Sequence, residues 1–259
     1  MKALVVVLAV SALAATAQQS LECEGGHSGR LSSFCEIREM KIAATGQLDV
    51  DAGVNGGLSV KGWDRGDVLV RAKVQTADVS DQAARALATQ VRIDSSAGRV
   101  RALGPSTGHD QNWSVGYEVF VPRRTDLTLQ AHNGGIHIQD VTGQVRFHTT
   151  NGGVTLQRLA GDVEGSTTNG GLSILLTGAR WDGQKMDVRT TNGGVRLAVP
   201  ENYSARLETS TVNGHVRLGF PVPVSGEISR SLAVDLGSGG GLIRAVTTNG
   251  GVSIERGAI

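Results

Sequence analysis

Glu164, Asp187 and Glu208 each stand five residues before an asparagine that opens an Asn-Gly step. Brought together, a row of carboxylates offers two chemistries. Paired acids flanking a cleft cleave glycosidic bonds, and like charges aligned on a strand face are relieved by Ca²⁺. Arg189 and Arg206 lie nearby in sequence to offset the charge, so the acids read as a solvated face. The histidines, His27, His109, His132, His137, His148 and His215, show neither His-x-x-x-His nor His-Glu-x-x-His spacing, and no metal site is expected. Gly237-Ser238-Gly239-Gly240-Gly241 has the look of a phosphate loop but lacks the following Lys-Ser/Thr and a helix, so it reads as a corner. The Gly-x-Ser-x-Gly elbow of hydrolases is absent. No catalytic constellation and no cofactor are expected.

The elements that would carry these residues are written in a repeat. Asn-Gly-Gly recurs at Asn55, Asn133, Asn151, Asn169, Asn192 and Asn249, with Asn-Gly-His at Asn213. Successive intervals from Asn133 onward are 18, 18, 23, 21 and 36 residues. A period near 20 residues marks stacked units. Six residues before each asparagine sit Leu127, Val145, Val163, Met186, Leu207 and Ile243; three after sit Ile136, Val154, Leu172, Val195, Val216 and Val252. Polar residues alternate with them, such as Thr128, Arg146 and Glu164 before the corner and His137, Thr155 and Arg196 after it. Each asparagine is therefore flanked by two short strands with one buried face.

Two architectures fit. In the first, each Asn-Gly is a type I′ hairpin, but that pairing sets Val145 opposite Arg158 and Leu127 opposite Asp140. In the second, each unit is one coil of a parallel β-solenoid, with equivalent residues stacked about 4.8 Å apart. Only the second explains why Thr149, Thr167, Thr190, Thr211 and Thr247 recur two residues before the asparagine. It also makes Asn133, Asn151, Asn169, Asn192, Asn213 and Asn249 a hydrogen-bonded side-chain ladder. Asn and Gly are expected there for the positive φ that a corner demands. The predicted fold is all-β: a parallel β-solenoid of about 18–23-residue coils with one short helical insertion. Around Ser231 the pattern degenerates into a partial coil or a loop.

Composition bounds the rest. Glycine contributes 36 of 259 residues and aromatics 3%, which suits a narrow interior filled by Val, Leu, Ile and Thr. The formal net charge of +1 gives no electrostatic case for nucleic acid or an anionic membrane. The local basic row of Arg196 and Arg217 reads as solvated. Residues 1–17 read as a signal peptide: Lys2, an apolar run from Ala3 to Ala15, and Ala15-Thr16-Ala17 as the cleavage site. No membrane span is expected after cleavage, and the mature chain would begin at Gln18. Cys23 and Cys35 are the only cysteines, and in an exported chain they predict a disulfide.

Along the chain, residues 18–40 form the disulfide-stapled segment, 41–122 an N-terminal β region with the helix, and 123–259 the regular Asn-Gly-Gly coils. Asn55 opens an early repeat whose upstream half (Val50, Ala52) is shifted by one, as a bulge would do. Ser80 or Asp81 caps a helix over Gln82–Thr89, with Ala83, Ala84 and Leu87 on its buried face. Arg180-Trp181-Asp182-Gly183 falls in the longest interval between neighbouring Asn133–Asn213 copies and reads as an edge loop suited to recognition.

The run Tyr117-Glu118-Val119-Phe120-Val121-Pro122, then Leu127-Thr128-Leu129, then Gly-x-Val strands leading into Asn-Gly-Gly-Val-x-Leu, resembles the DUF4097 putative-adhesin family. The match is best over residues 110–257 and looser over 40–100, with departures near Ser231 and at Asn213-Gly214-His215. The resemblance implies a right-handed parallel β-solenoid and an exported protein of the periplasm or cell surface. The expected function is non-enzymatic and adhesin-like: binding an envelope glycan or protein through polar side faces, or scaffolding there by self-association. The alternative is a β-solenoid polysaccharide lyase or hydrolase that uses the acidic row.

Overall fold

Period-two alternation becomes a pair of large sheets in the computed structural model, which describes residues 21–23, 30–221 and 229–257. The expected signal segment, 1–17, lies outside the described residues. The N-terminal third holds β1 (Ser32–Ala43), β2 (Gln47–Asp51), β3 (Leu58–Trp63), β4 (Asp67–Asp78), helix α1 (Asp81–Gln90), β5 (Arg92–Asp94), β6 (Arg99–Leu103) and β7 (Asn112–Pro122). Strand pairs around the Asn-Gly corners follow: β8 (Asp126–Ala131) with β9 (Ile136–Gln139), β10 (Thr142–Asn151) with β11 (Val154–Gln157), and β12 (Ala160–Asn169) with β13 (Leu172–Leu175). Then come β14 (Lys185–Asn192) with β15 (Val195–Val199), β16 (Ala205–Asn213) with β17 (Val216–Leu218), the single strand β18 (Ser231–Leu236), and β19 (Leu242–Asn249) with β20 (Val252–Arg256).

The two strands flanking a corner never pair with each other. One joins each of two ten-stranded sheets, ordered β1-β4-β7-β3-β9-β11-β13-β15-β20-β17 and β18-β16-β19-β14-β12-β10-β8-β2-β6-β5. Neighbouring layers pair in parallel and in register, Val145 on Val163 and Val154 on Leu172. Antiparallel pairing is confined to the ends: β1 on β4, β4 on β7, β5 on β6, and β18 on β16. Inward Val, Leu and Ile from both sheets form one core. Phe147 fits it because Gly165, the inward residue of the next strand, carries no side chain; a Cβ there would collide with the ring.

Seven asparagines meet in one ladder along the corner edge. In the order Asn55, Asn133, Asn151, Asn169, Asn192, Asn249, Asn213, each Nδ2 from Asn133 onward donates to the Oδ1 of the asparagine before it, at 2.7–3.0 Å. Behind it the buried Thr149, Thr167, Thr190, Thr247 and Thr211 each donate from Oγ1 to the carbonyl of the first corner glycine of the neighbouring layer, at 2.7–2.8 Å. That hydroxyl satisfies a carbonyl the corner would otherwise bury unpaired. Positive φ is not what this corner requires. None of the ladder asparagines has it, and among their first glycines only Gly250 does. The glycines are needed for close approach, since a Cβ on Gly134, Gly152, Gly170 or Gly193 would lie under 3.0 Å from the first corner glycine's carbonyl in the layer before.

The second glycine meets the layer after it instead. A Cβ on Gly171 would sit 3.2 Å from the Gly194 carbonyl oxygen, and one on Gly251 would sit 3.6 Å from that of His215. Among the described residues His215 belongs to the last layer, where no further Asn-Gly corner follows, so a side chain fits. Asn-Gly-His therefore marks the end of the stack.

Two local expectations are corrected, at Ser231 and on the helix face, and the bulge expected before Asn55 is located. Ser231 lies in neither a partial coil nor a loop: β18 turns back antiparallel on β16, placing Val234 beside Leu207. In the Asn55 layer the extra residue falls at Ala52–Val54, where Gly53 takes φ 64° and its N–H is held by Asp51 Oδ1 at 2.8 Å. The helix is capped by Ser80, but it buries Ala84, Leu87 and Ala88, with Ala83 only half-buried. Cys23 is bridged to Cys35 in β1, with Cα atoms 5.7 Å apart.

On the opposite edge, Asp140 and Arg158 occupy equivalent positions in successive layers, both at positive φ (59° and 51°). Arg158 binds both Asp140 oxygens at 2.6 and 2.9 Å, and Arg123 links Asp140 at 3.9 Å to Asp64 at 2.6 Å. The hydrogen bond from Arg158 is the main cause that holds the Asp140 carboxyl below its usual range.

Two outcomes are expected. Gly170→Ala should lose about 1–3 kcal/mol through overpacking, whereas His215→Gly should stay within about 0.5 kcal/mol; urea unfolding measures both, and equal losses would contradict the end-of-stack reading. Asp140 has a lowered folded pKa, so its stabilisation is present above its unfolded value of 3.8 and fades as pH falls through the lower folded value. Asp140→Asn should therefore flatten the acid limb of a stability–pH curve below about pH 4, while leaving the rest of that curve parallel to wild type.

Candidate functional site

Alternation that sends one side chain inward sends the next outward, so every layer adds one polar residue to each outer row. On the sheet carrying β10 and β12, one row runs Arg99, Asp49, Thr128, Arg146, Glu164, Asp187, Arg244, Glu208. The three acids expected to stack together are thus not consecutive. β19 lies between β14 and β16, because the last segment of the chain inserts between two earlier layers. Arg244 consequently stands between Asp187 and Glu208, with Nη1 3.3 Å from Asp187 Oδ2. Arg189 approaches Asp187 at 3.8 Å, and Arg206 lies 3.5 Å from Glu208. Among the described residues no three His, Cys, Asp or Glu side chains converge as metal ligands would.

The described histidines are dispersed, and His27 lies outside the described residues. His132 and His148 hydrogen-bond Thr150 and Ser166, each one layer away, at 3.1 and 3.0 Å; His137 meets Gln139 at 3.4 Å. His109 is exposed on the loop before β7, and His215 is exposed at the stack end. The glycines at 237, 239 and 240, all at positive φ, turn the chain from β18 into β19. Arg180-Trp181-Asp182-Gly183 is not a projecting loop: Trp181 is buried in the core, and its backbone N–H donates to Ser204 O at 3.2 Å.

The other sheet carries a different row: Glu39, Arg71, Glu118, Ser59, His137, Thr155, Ser173, Arg196, Ser253, Arg217. At its N-terminal end the charges cancel, Arg71 being held between Glu39 at 2.9 Å and Glu118. Hydroxyls fill the middle. At the far end Arg196 and Arg217 face outward with Ser253 between them and no acid in the row. Beside them the corner glycines leave a shallow, open hollow of 870 Å³, reached by Thr155, Ser173, Arg196, His215 and Arg217. Sequence reasoning paired the two arginines as neighbours and missed the serine, because it took the layers in chain order. The available signal was His215, the residue type that marks the last layer.

A family model described as Toastrack DUF4097 matches residues 41–255. No curated protein matches the chain. Among solved structures, a putative cell adhesion protein from Clostridium sporogenes is similar, with 10% identity and a TM-score of 0.44 over 86% of this chain and 100% of that one. A putative adhesin from Bacteroides fragilis has 10% identity and a TM-score of 0.37 over 86% and 97% of the two chains. A putative lipid binding protein from Parabacteroides distasonis has 9% identity and a TM-score of 0.29 over 85% and 96%. These likenesses are distant, and the assignment rests on the sequence match, which spans most of the strands in both sheets: the chain belongs to the Toastrack DUF4097 family.

Proposed function

We propose that the chain is an exported, non-enzymatic, adhesin-like protein that binds or scaffolds at the cell envelope through its polar side faces. The body is a right-handed β-solenoid of about 18–23-residue coils, and the first 17 residues are a cleaved signal. The observation that carries this reading is the regular outward array, in which a polar residue from each layer lies in register beside the next. A stiff surface patterned at about 4.8 Å per layer suits an extended partner that makes many weak contacts. The disulfide between Cys23 and Cys35 fits an oxidising compartment. No helix among the described residues is long and apolar enough to cross a membrane.

The glycan-cleaving alternative draws no support from the acidic row. Arg244 and Arg189 lie against Asp187, and Arg206 against Glu208, so the row is charge-compensated instead of offering a pair of free acids.

Cell fractionation followed by intact-mass measurement is expected to place the mature chain, beginning at Gln18, in the periplasm or at the surface. The purified protein should then be retained on envelope preparations without depolymerising them, and Asp187→Asn should leave retention unchanged. Recovery in the cytoplasm with an intact N-terminus, or turnover of envelope polysaccharide that Asp187→Asn abolishes, would overturn this reading.

A further inference from the structure

We propose that the outward face of β15, β20 and β17 is a binding surface for an acidic polysaccharide, whose anionic groups are taken by Arg196 and Arg217. This deepens the envelope-binding reading and rests on it. The inserted last layer treats the two sheets differently. On one sheet it supplies Arg244, which neutralises the flanking Asp187. On the other it supplies Ser253, which neutralises nothing and separates two arginines by one strand. Among the described residues neither arginine enters an ion pair, and both are exposed. Among the described residues the carboxylate beside them is Glu255, two residues further along β20, where its Oε1 accepts from Ser253 Oγ at 2.7 Å.

The geometry selects the ligand class. Arg196 and Arg217 lie two strands apart, a separation of about 9.6 Å along the stack. A polymer that repeats its acidic group along its length, laid across the strands, meets both guanidinium groups at once, and each can take a carboxylate or phosphate with two parallel hydrogen bonds. Uphill of the arginines the row continues as Ser173 and Thr155, hydroxyls that match the sugar hydroxyls of the same polymer. The hollow is lined by the corner glycines of five successive layers, Gly153, Gly171, Gly194, Gly251 and Gly214, so it runs across the strands beside both arginines. The net charge of +1 makes this a local attraction, without a field that would gather any polyanion indiscriminately.

The test uses the mature full-length chain in low salt, with polygalacturonate as carboxylate polymer, phosphorylated dextran as phosphate polymer and plain dextran as neutral control. Binding to one or both acidic polymers and not to plain dextran is expected, the preferred one identifying the anionic group. Affinity should fall about tenfold for each arginine removed in Arg196→Ala and Arg217→Ala, and should stay unchanged in Arg146→Ala on the opposite sheet. All three variants alter exposed side chains, so their unfolding midpoints should match wild type. Equal binding to plain dextran, or acidic-polymer binding untouched by the double variant, overturns this assignment while leaving envelope binding in place. Retention on envelope preparations with no binding to any of the three polymers does the same. Failure to bind both the preparations and the polymers defeats the broader reading instead.

Discussion

Backbone stacked on backbone at the Asn-Gly corner is the contact on which the rest of the molecule depends. The first corner glycine of one layer lies against the carbonyl of its equivalent in the layer before, closer than any residue with a Cβ could come. That closeness lets the amide side chains form an unbroken ladder and lets a threonine hydroxyl reach each buried glycine carbonyl. Register follows from it. A slip by one residue would reverse the inward and outward faces of both strands in a layer and break the ladder at the same time.

Once register is fixed, the narrow core and the outer rows have no freedom left. Equivalent inward positions carry Val, Leu, Ile, Met, Ala or Thr, and Phe147 is accommodated where the adjacent layer offers Gly165. Outward positions accumulate into rows whose electrostatics depend on which layer follows which. The insertion of β19 and β20 between earlier layers changes both rows: it puts Arg244 between Asp187 and Glu208 on one sheet and spaces two uncompensated arginines on the other. A single topological choice thereby makes one face self-neutralised and leaves the other with charge to offer.

Exposed strand edges invite pairing with other chains, and the two ends of this stack are finished by means other than repetition. At one end antiparallel β1 lies over β4, tied down by Arg38, whose guanidinium donates to the Ala88 and Val91 carbonyls at the end of α1, while the disulfide holds Cys23 to β1. At the other, antiparallel β18 covers β16. The middle of the body is thus regular and its termini are individual, as finite repeat proteins require.

How much of this was legible in the sequence divides along the same physical line. Period-two alternation and the recurring Thr-x-Asn-Gly determined that the strands are short, parallel-stacked and one-faced, because those patterns report local burial and close approach. The helix over 81–90 was legible for the same reason, its cap Ser80 being local. The cause assigned to the glycines was wrong, since positive φ and steric intimacy select the same residue and only coordinates separate them. The order of the layers was not legible from the repeat alone. Equivalent repeats present equivalent pairing edges, so apart from His215 in place of the second glycine nothing local distinguishes docking Asn213 on Asn192 from docking Asn249 there. Tertiary structure made that choice, through the antiparallel return of β18 on β16, with Ser229 O accepting from Val216 N at 3.0 Å beside the last corner. With it came the separation of Arg196 from Arg217, the neutralisation of Asp187 and the burial of Trp181, all of which arise from contacts between segments far apart in the chain.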